Sequence, residues 1–271
     1  MSSQTKTLRP PAVAGQFYSQ HGDRLQGDVR SFLKAAKLPE LARVLAVIAP
    51  HAGYPCSGPV AGYSFAALGG QTVGHVTVYL LGPAHWRPVF GVGLCNVDAF
   101  LLPTGEVAVD HARVQQMVAL GEPYRLATEA HMPEHCLEVE LPFLQMVLSD
   151  FAVVPMLLDN DADPARVGAD LAGLVAGDPA SLIVVSSDLS HYHNYAAATA
   201  MDHSFLAAVV AGDIKQAANG EACGLPAILT LMHVAARLQW RAQLLAYANS
   251  GDTCGPRRDV VGYGAVAYTS S

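Results

Sequence analysis

The chain has 271 residues, of which 51% are hydrophobic and 14% are charged, and its formal net charge is −7. This composition allows a sizeable core and argues against an intrinsically disordered chain. The negative charge and the lack of a basic stripe argue against nucleic acid as a partner. No apolar run reaches the roughly 18–20 residues of a membrane helix, and the first residues lack a signal peptide's apolar core. We therefore expect a cytoplasmic protein without a membrane partner.

Strands and helices are predicted to alternate along the chain. An extended arm through Tyr18 comes first, and a hairpin-like stretch is expected around residues 89–102. Helical periodicity predicts helices over residues 22–36, 59–68, 110–120, 164–176, 196–210 and 225–238, and a loop followed by a helix over 133–148. Apolar runs predict strands over residues 44–48, 76–81, 153–158, 182–185, 244–247 and 264–268. This alternation predicts the α/β class: a single domain over residues 1–271, with a central, mostly parallel or mixed sheet flanked by helices.

Three histidines each follow an apolar run that is typical of a buried strand. They are His51, His85 and His191. Ligands of α/β proteins collect outside the carboxyl ends of such strands. A lone histidine is usually satisfied within the fold, but three at equivalent positions predict that at least two share a pocket.

A mononuclear iron site for oxygen chemistry commonly uses two neutral imidazoles and one anion. His51 and His85 can supply the imidazoles, and the late loop over residues 248–255 offers Asp252 or Cys254 as the anion. A carboxylate would give the usual facial triad, whereas a thiolate would give a softer site that also suits copper or zinc. Asp252 beside Gly251 is equally typical of an ordinary turn. The residues alone leave the two candidates level.

His191 then either supports a metal ligand from behind or acts in catalysis, because imidazole suits proton transfer near neutral pH. Asp188 could orient it, or another ligand, through a hydrogen bond, or could cap a helix. The Ser186-Ser187 pair suggests a hydrolase only weakly, because the chain has no G-x-S-x-G motif.

Glu134, His135 and Glu138 lie directly before an apolar helix stretch. They can form a further wall of the site, or a solvated helix start where acids favour the helix dipole. Five scattered cysteines, with no C-x-x-C pair, are typical of reduced thiols and not of a disulfide framework.

These residues together resemble the Memo family over nearly the whole chain. The matching pieces are RP at 9–10, AGQFY at 14–18, APHAGY at 49–54, SG at 57–58, LGPAH at 81–85, PTG at 103–105, EHCLEV at 134–139, LPF at 141–143, SSDLSH at 186–191, CG at 223–224, YANS at 247–250, and Cys254. Their order and number make the resemblance specific.

The resemblance implies a fold like that of LigB-type class III extradiol dioxygenases, which bind non-haem Fe(II). It implies His51, His85 and Cys254 as metal ligands, with His191 and Asp188 as the catalytic pair. The expected metal is Fe(II), with copper or zinc as alternatives. The remaining pocket residues are Glu134, His135 and Cys223, and Asp252 is the alternative ligand.

The implied activity is that of a dioxygenase-like oxidoreductase acting on an unknown small molecule. The ring-cleavage enzymes have a carboxylate where Memo proteins have cysteine, so catechol cleavage does not follow. One alternative is a non-enzymatic adaptor that recognises phosphotyrosine peptides in the same pocket. Another is a component of a system with AMMECR1-like and radical SAM proteins as partners.

Overall fold

The computed structural model describes residues 6–70 and 74–270, and in these ranges twelve strands and ten α-helices alternate. The strands are β1 (Leu8–Arg9), β2 (Val44–Ala49), β3 (Val76–Pro83), β4 (Val92–Leu94), β5 (Ala99–Leu102), β6 (Gly105–Ala108), β7 (Tyr124–Leu126), β8 (Phe151–Leu158), β9 (Ser181–Ser186), β10 (His191–His193), β11 (Arg241–Asn249) and β12 (Val260–Thr269). The helices are α1 (Gly22–Ala35), α2 (Tyr54–Leu68), α3 (His111–Val118), α4 (Thr128–His131), α5 (Leu141–Val147), α6 (Pro164–Ala176), α7 (Tyr195–Ala211), α8 (Ile214–Ala217), α9 (Leu225–Leu238) and α10 (Ser250–Thr253), with a 3₁₀ turn over Glu138–Glu140.

A large mixed sheet forms the centre of the fold. Its strands follow the order β10-β12-β2-β9-β3-β8-β4-β7, and β11 also pairs with β12. The neighbours β2, β9, β3 and β8 run parallel, whereas β12 is antiparallel to β2 and β4 is antiparallel to β8. Helix α2 packs against β2 and β12, and α9 packs against β3 and β9. The expected α/β class with a mixed sheet is thus confirmed. The single domain over residues 1–271 stays a prediction.

The predicted elements agree closely with the structure where the apolar pattern is strong. The predicted helix over 164–176 has the same bounds as α6, with the Asp163 side chain accepting the first backbone N–H groups. Helix α2 begins earlier than predicted, at Tyr54, because Pro55 occupies its first turn. The expected hairpin around residues 89–102 is wrong, because β4 joins the large sheet while β5 pairs with β1 and β6 in a small one.

The central position of β9 brings the predicted site segments together. β9 pairs in parallel with β2 on one side and β3 on the other. Parallel strands end at the same edge of a sheet, so the residues that follow β2, β3 and β9 meet there. All eight residues of β3 and all six of β9 are buried, as expected for parallel strands covered on both faces.

The extended N-terminal arm is fixed by a buried ion pair. The Arg9 side chain is fully buried and pairs with the carboxylate of Glu138, which is also fully buried. Arg9 donates from Nε to the backbone oxygen of His131 at 3.1 Å and from Nη2 to the backbone oxygen of Glu134. Glu138 in turn accepts a hydrogen bond from the hydroxyl of Tyr18. Nearly every polar atom of the pair therefore has a partner, as a buried charge requires.

No helix within residues 6–70 and 74–270 is long and apolar enough to cross a membrane.

Replacing Arg9 by Met should destabilise the protein by about 3–5 kcal/mol, because it leaves the Glu138 carboxylate buried without its partner. The double variant Arg9→Met/Glu138→Gln should recover part of this loss. Urea unfolding at neutral pH measures both. The control is Arg166→Met, which removes a half-exposed i,i+4 pair with Asp170 and should cost less than about 1 kcal/mol. Equal losses for Arg9→Met and Arg166→Met would contradict the role of the buried pair.

Candidate metal centre

The segments that follow β2, β3 and β9 line a cavity of about 480 Å³. His51, His85 and His191 all line it, as the sequence predicted for at least two of them. The other lining residues are Phe17, Ala52, Gly53, His135, Asp188, Tyr192, Cys223 and Val261. The imidazoles of His51, His85 and His135 pack against one another, with ring centroids 5.3 Å apart for His51 and His85, and 4.9 Å apart for His85 and His135.

His51 is buried and is fixed from three directions. Its backbone N–H donates to Asp188 Oδ1 at 2.8 Å, and its Nδ1 lies 2.8 Å from Ser186 Oγ. Its Nε2 lies 3.2 Å from the Cys223 sulfur. Burial lowers the pKa of His51 well below its usual range, and the neighbouring His135 and His85 lower it further. The ring is therefore a neutral imidazole, the form that binds metals.

His85 and His135 share one buried carboxylate. Glu134 Oε1 lies 2.9 Å from His85 Nδ1 and 3.2 Å from His135 Nδ1, and its Oε2 accepts the backbone N–H of His85 at 2.7 Å. Burial alone would raise the pKa of Glu134, but the hydrogen bonds from His135 and His85 outweigh burial and hold it well below its usual range. The carboxylate thus stays ionised and leaves Nε2 of each ring available to a ligand.

The sulfur that reaches the histidines belongs to Cys223. The ligand atoms of His51, His85 and Cys223 all lie within 4.8 Å of one another. The sequence placed Cys223 in the pocket but did not single it out as a ligand. Its one signal was the CG pair just before helix α9, which could not reveal that the loop folds back onto His51. A second group, His85, Glu134 and His135, also meets the 4.8 Å limit.

The expected ligand Cys254 is corrected by the structure, which joins it to Cys56 in a disulfide. Helix α10 packs against helix α2, and this contact brings together two cysteines that are 198 positions apart. A disulfide sulfur has no thiolate to offer a metal. The expectation that all five cysteines are reduced is wrong for the same reason.

The alternative ligand Asp252 is also corrected. Its carboxylate accepts the backbone N–H of Asn249 at 3.2 Å in a capping box of α10, and it accepts the Tyr195 hydroxyl at 2.8 Å. Arg257 lies 3.4 Å from the same carboxylate. The turn interpretation of Asp252 therefore holds, extended by a helix cap.

Asp188 and His191 both line the cavity. Asp188 does not cap a helix, because β10 follows it, and its carboxylate holds the backbone N–H of His51. Burial raises the pKa of Asp188 to about 6, against the lowering effect of that hydrogen bond and of nearby His191. His191 is half-buried on β10, and its backbone N–H donates to Glu221 Oε1 at 2.8 Å.

The acidic segment over residues 134–140 is not a solvated helix start. Glu134, Glu138 and Glu140 are all buried, and each faces a different partner. Glu134 holds the histidines, Glu138 pairs with Arg9, and Glu140 Oε1 lies 2.8 Å from Ser186 Oγ. Of the residues expected to form a wall, His135 lines the cavity, Glu134 holds His85 and His135 without lining it, and Glu138 faces the N-terminal arm. The sequence did not single out Glu140, because nothing in the chain distinguishes it from the neighbouring acids of this segment.

A solved structure shares the fold. The crystal structure of an uncharacterized protein, JW3007 of Escherichia coli K12, superposes with a TM-score of 0.54 at 18% sequence identity. The match covers 83% of this chain and 99% of that chain. At this identity the likeness concerns the fold alone.

Sequence relatives span almost the full length of the chain. A MEMO1 family protein of Nitrosopumilus maritimus is 30% identical over 280 residues, covering 96% of this chain and 99% of the relative. A MEMO1 family protein of Methanopyrus kandleri is 33% identical over 279 residues, covering 96% and 98%. The sequence model of the Memo-like protein family matches residues 9–267. With its cavity of histidines at the carboxyl ends of β2, β3 and β9, this chain belongs to the Memo-like protein family.

Proposed function

We propose that this protein binds one divalent transition metal through His51, His85 and Cys223 and uses it in oxidoreductase chemistry on a small molecule. The observation that carries the proposal is the convergence of two imidazoles and one sulfur within 4.8 Å. Two neutral nitrogens and a thiolate form a donor set that suits iron, zinc or copper and leaves coordination positions open.

The spacing of the donor atoms fits a metal. Typical bond lengths to nitrogen and sulfur place tetrahedral ligand atoms about 3.6 Å apart. The 3.2 Å between His51 Nε2 and Cys223 Sγ needs only a small separation to reach that value. The Nδ1 atom of His51 already contacts the Ser186 hydroxyl, and that of His85 contacts the Glu134 carboxylate. Hydrogen bonding through the ring nitrogen that does not bind the metal is the usual arrangement of metal-binding imidazoles.

A neutral Glu140 explains how His51 is held in the required tautomer. Burial raises the pKa of Glu140 well above its usual range, despite a hydrogen bond with Ser186. Its Oε2 has no hydrogen-bond partner among the described residues, an arrangement that would be costly for an ionised carboxylate. A protonated carboxyl can donate to Ser186 Oγ, while the Ser186 hydroxyl donates to Cys136 O at 2.7 Å. Ser186 Oγ then accepts the Nδ1–H of His51, which leaves His51 Nε2 as the metal-binding atom.

His191 and Asp188 are the groups proposed to handle protons. Both line the same cavity as the proposed ligands, and a carboxyl with a pKa of about 6 can exchange a proton near neutral pH. When bound, the metal would act as a Lewis acid and, if it is iron or copper, would supply one-electron chemistry toward dioxygen. The LigB-like resemblance supports Fe(II) as the resident metal, with copper or zinc as alternatives.

The adaptor alternative receives less support from the cavity. Among the described residues that line it, none is a lysine or arginine. Phosphate recognition relies on such cations, and on arginine above all. A role beside AMMECR1-like and radical SAM proteins is compatible with the proposed site and would make its substrate a product of those partners. The cytoplasmic location is proposed along with it.

The proposal is tested by metal content after anaerobic purification and Fe(II) loading. Wild type should hold about one iron per chain, and Cys223→Ser should weaken binding by more than about 100-fold because a ligand is lost. Cys254→Ser should keep the iron, and Cys56→Ser is its matched control because it breaks the same disulfide. Loss of iron in Cys254→Ser but not in Cys56→Ser or Cys223→Ser would contradict the assignment of Cys223. Loading the metal-free protein with zinc or copper in place of iron compares how well the site holds each of the three metals.

Metal affinity should rise with pH. Burial raises the pKa of the Cys223 thiol to about 12, and a metal binds the thiolate, so each metal ion bound must release the thiol proton. Zinc affinity should therefore increase about tenfold for each pH unit between about pH 7 and pH 9. Competition with a chromophoric chelator measures it, and the Cys254→Ser variant should show the same slope. A flat profile would mean that no thiol proton is lost on binding.

Glu140→Gln should stabilise the protein increasingly as pH rises. The raised pKa of Glu140 means that wild-type stability is full below the ordinary value of 4.5 and falls above it, because the unfolded chain releases the proton first. The gain of the variant should grow by roughly 1.4 kcal/mol per pH unit up to the raised pKa. Urea unfolding near about pH 5 and about pH 7 measures this difference.

The control for this measurement is Glu40→Gln, an exposed loop acid whose replacement should give no such pH trend. Glu140→Gln should also keep its metal, because the amide can donate to Ser186 as the neutral carboxyl does. A gain that is the same at both pH values would show that Glu140 is ionised in the fold.

A further inference from the structure

The strand that carries His191 is short and irregular. β10 has three residues, and its pairing with β12 changes register between His191 and His193. Tyr192 between them has a φ of 60°, in a region that a tyrosine rarely adopts, and its side chain is exposed. Such a backbone conformation persists only where the surrounding structure holds it. The position of His191 must therefore depend on contacts outside the strand pairing.

Glu221 supplies such a contact from the loop between α8 and α9. Its Oε1 accepts the backbone N–H of His191 at 2.8 Å, and its Oε2 lies 2.9 Å from Nε2 of His193. One carboxylate thus contacts the residues on both sides of Tyr192. A carboxylate that accepts a backbone N–H makes a stronger hydrogen bond than a neutral acceptor.

The same loop carries Cys223, two residues after Glu221. The backbone N–H of Cys223 donates to the backbone oxygen of Asp188 at 3.2 Å, and that of Gly224 donates to Ser187 Oγ at 2.9 Å. The end of the loop is therefore fixed beside residues 187–188, where Asp188 also holds His51. Glu221 extends from this fixed end back to β10. The loop connects the proposed metal ligands to His191.

We infer that Glu221, in contact with His193, is a positioning residue that fixes His191 relative to the proposed metal site. This inference rests on the proposed function, because it takes His51, His85 and Cys223 as the metal ligands. Glu221 acts through the backbone of His191 and does not line the cavity. Its removal should displace the His191 ring while leaving the ligands in place.

The test is NMR of the Co(II)-loaded protein with labelled histidine, using the zinc-loaded protein as the diamagnetic reference. The paramagnetic shift of a ring depends steeply on its position relative to the metal, so it reports where His191 lies. The His191 signal is assigned by its loss in His191→Gln. In Glu221→Ala the His191 shift should change, while the ligand signals of His51 and His85 keep their wild-type values.

Three further variants complete the design. Glu221→Gln should retain the wild-type shift of His191, because an amide oxygen still accepts the backbone N–H. His193→Ala should move the shift in the same direction as Glu221→Ala, and it carries the test if Glu221→Ala does not fold. The matched control is Glu106→Ala, since the Glu106 side chain is 39% exposed and that of Glu221 is 40% exposed, and each contacts one basic side chain, Lys6 and His193 respectively.

An unchanged His191 shift in Glu221→Ala or His193→Ala would overturn the inference. A change that also moves the His51 and His85 signals would overturn it as well, because it would indicate a general structural role. A wild-type protein that gives no Co(II)-shifted histidine signals would contradict the proposed metal site, and the inference would fall with it. This last result appears in the wild type alone and is thus distinguishable from the first two.

Discussion

The buried ion pair between Arg9 and Glu138 is the contact on which the cavity depends. The guanidinium of Arg9 also donates to the backbone oxygens of His131 and Glu134, so it fixes both ends of the turn that leads into the histidine pocket. The same pair holds the N-terminal arm, which brings Phe17 edge-on to His135 with ring centroids 4.9 Å apart. A charge buried this deeply is tolerated only with a complete set of partners, and those partners are the segments that shape the site.

Three buried carboxyl groups surround the histidines, and the number of N–H donors around each decides its charge. Glu134 receives hydrogen bonds from His85 and His135 and stays ionised, with a lowered pKa. Asp188 has fewer donors, and burial raises its pKa to about 6. Glu140 has the hydroxyl of Ser186 as its neighbour, and burial raises its pKa well above the usual range. One small region thus combines an ionised, a titratable and a neutral carboxyl group, which is how a fold assigns different roles to identical side chains.

The sequence predicted the strands and the histidines well because both depend on local patterns. Buried parallel strands are continuous apolar runs, so residues 44–48 and 182–185 could be located without tertiary information. The rule that ligands collect at the carboxyl ends of such strands then brought His51, His85 and His191 to one edge. The proposed third ligand could not be found in this way. Cys223 lies on a loop before α9 and follows no strand, so no periodic pattern pointed to it.

By itself, the sequence determined the α/β class, the order of the elements and the edge of the sheet where the site forms, because these follow from short-range periodicity. Only the tertiary structure decided which polar side chains meet there. It placed Cys254 in a disulfide with Cys56 and brought the Cys223 sulfur to 3.2 Å from His51. Such contacts join residues separated by well over a hundred positions, and they arise from helix packing and loop closure, which leave no periodic trace in the chain.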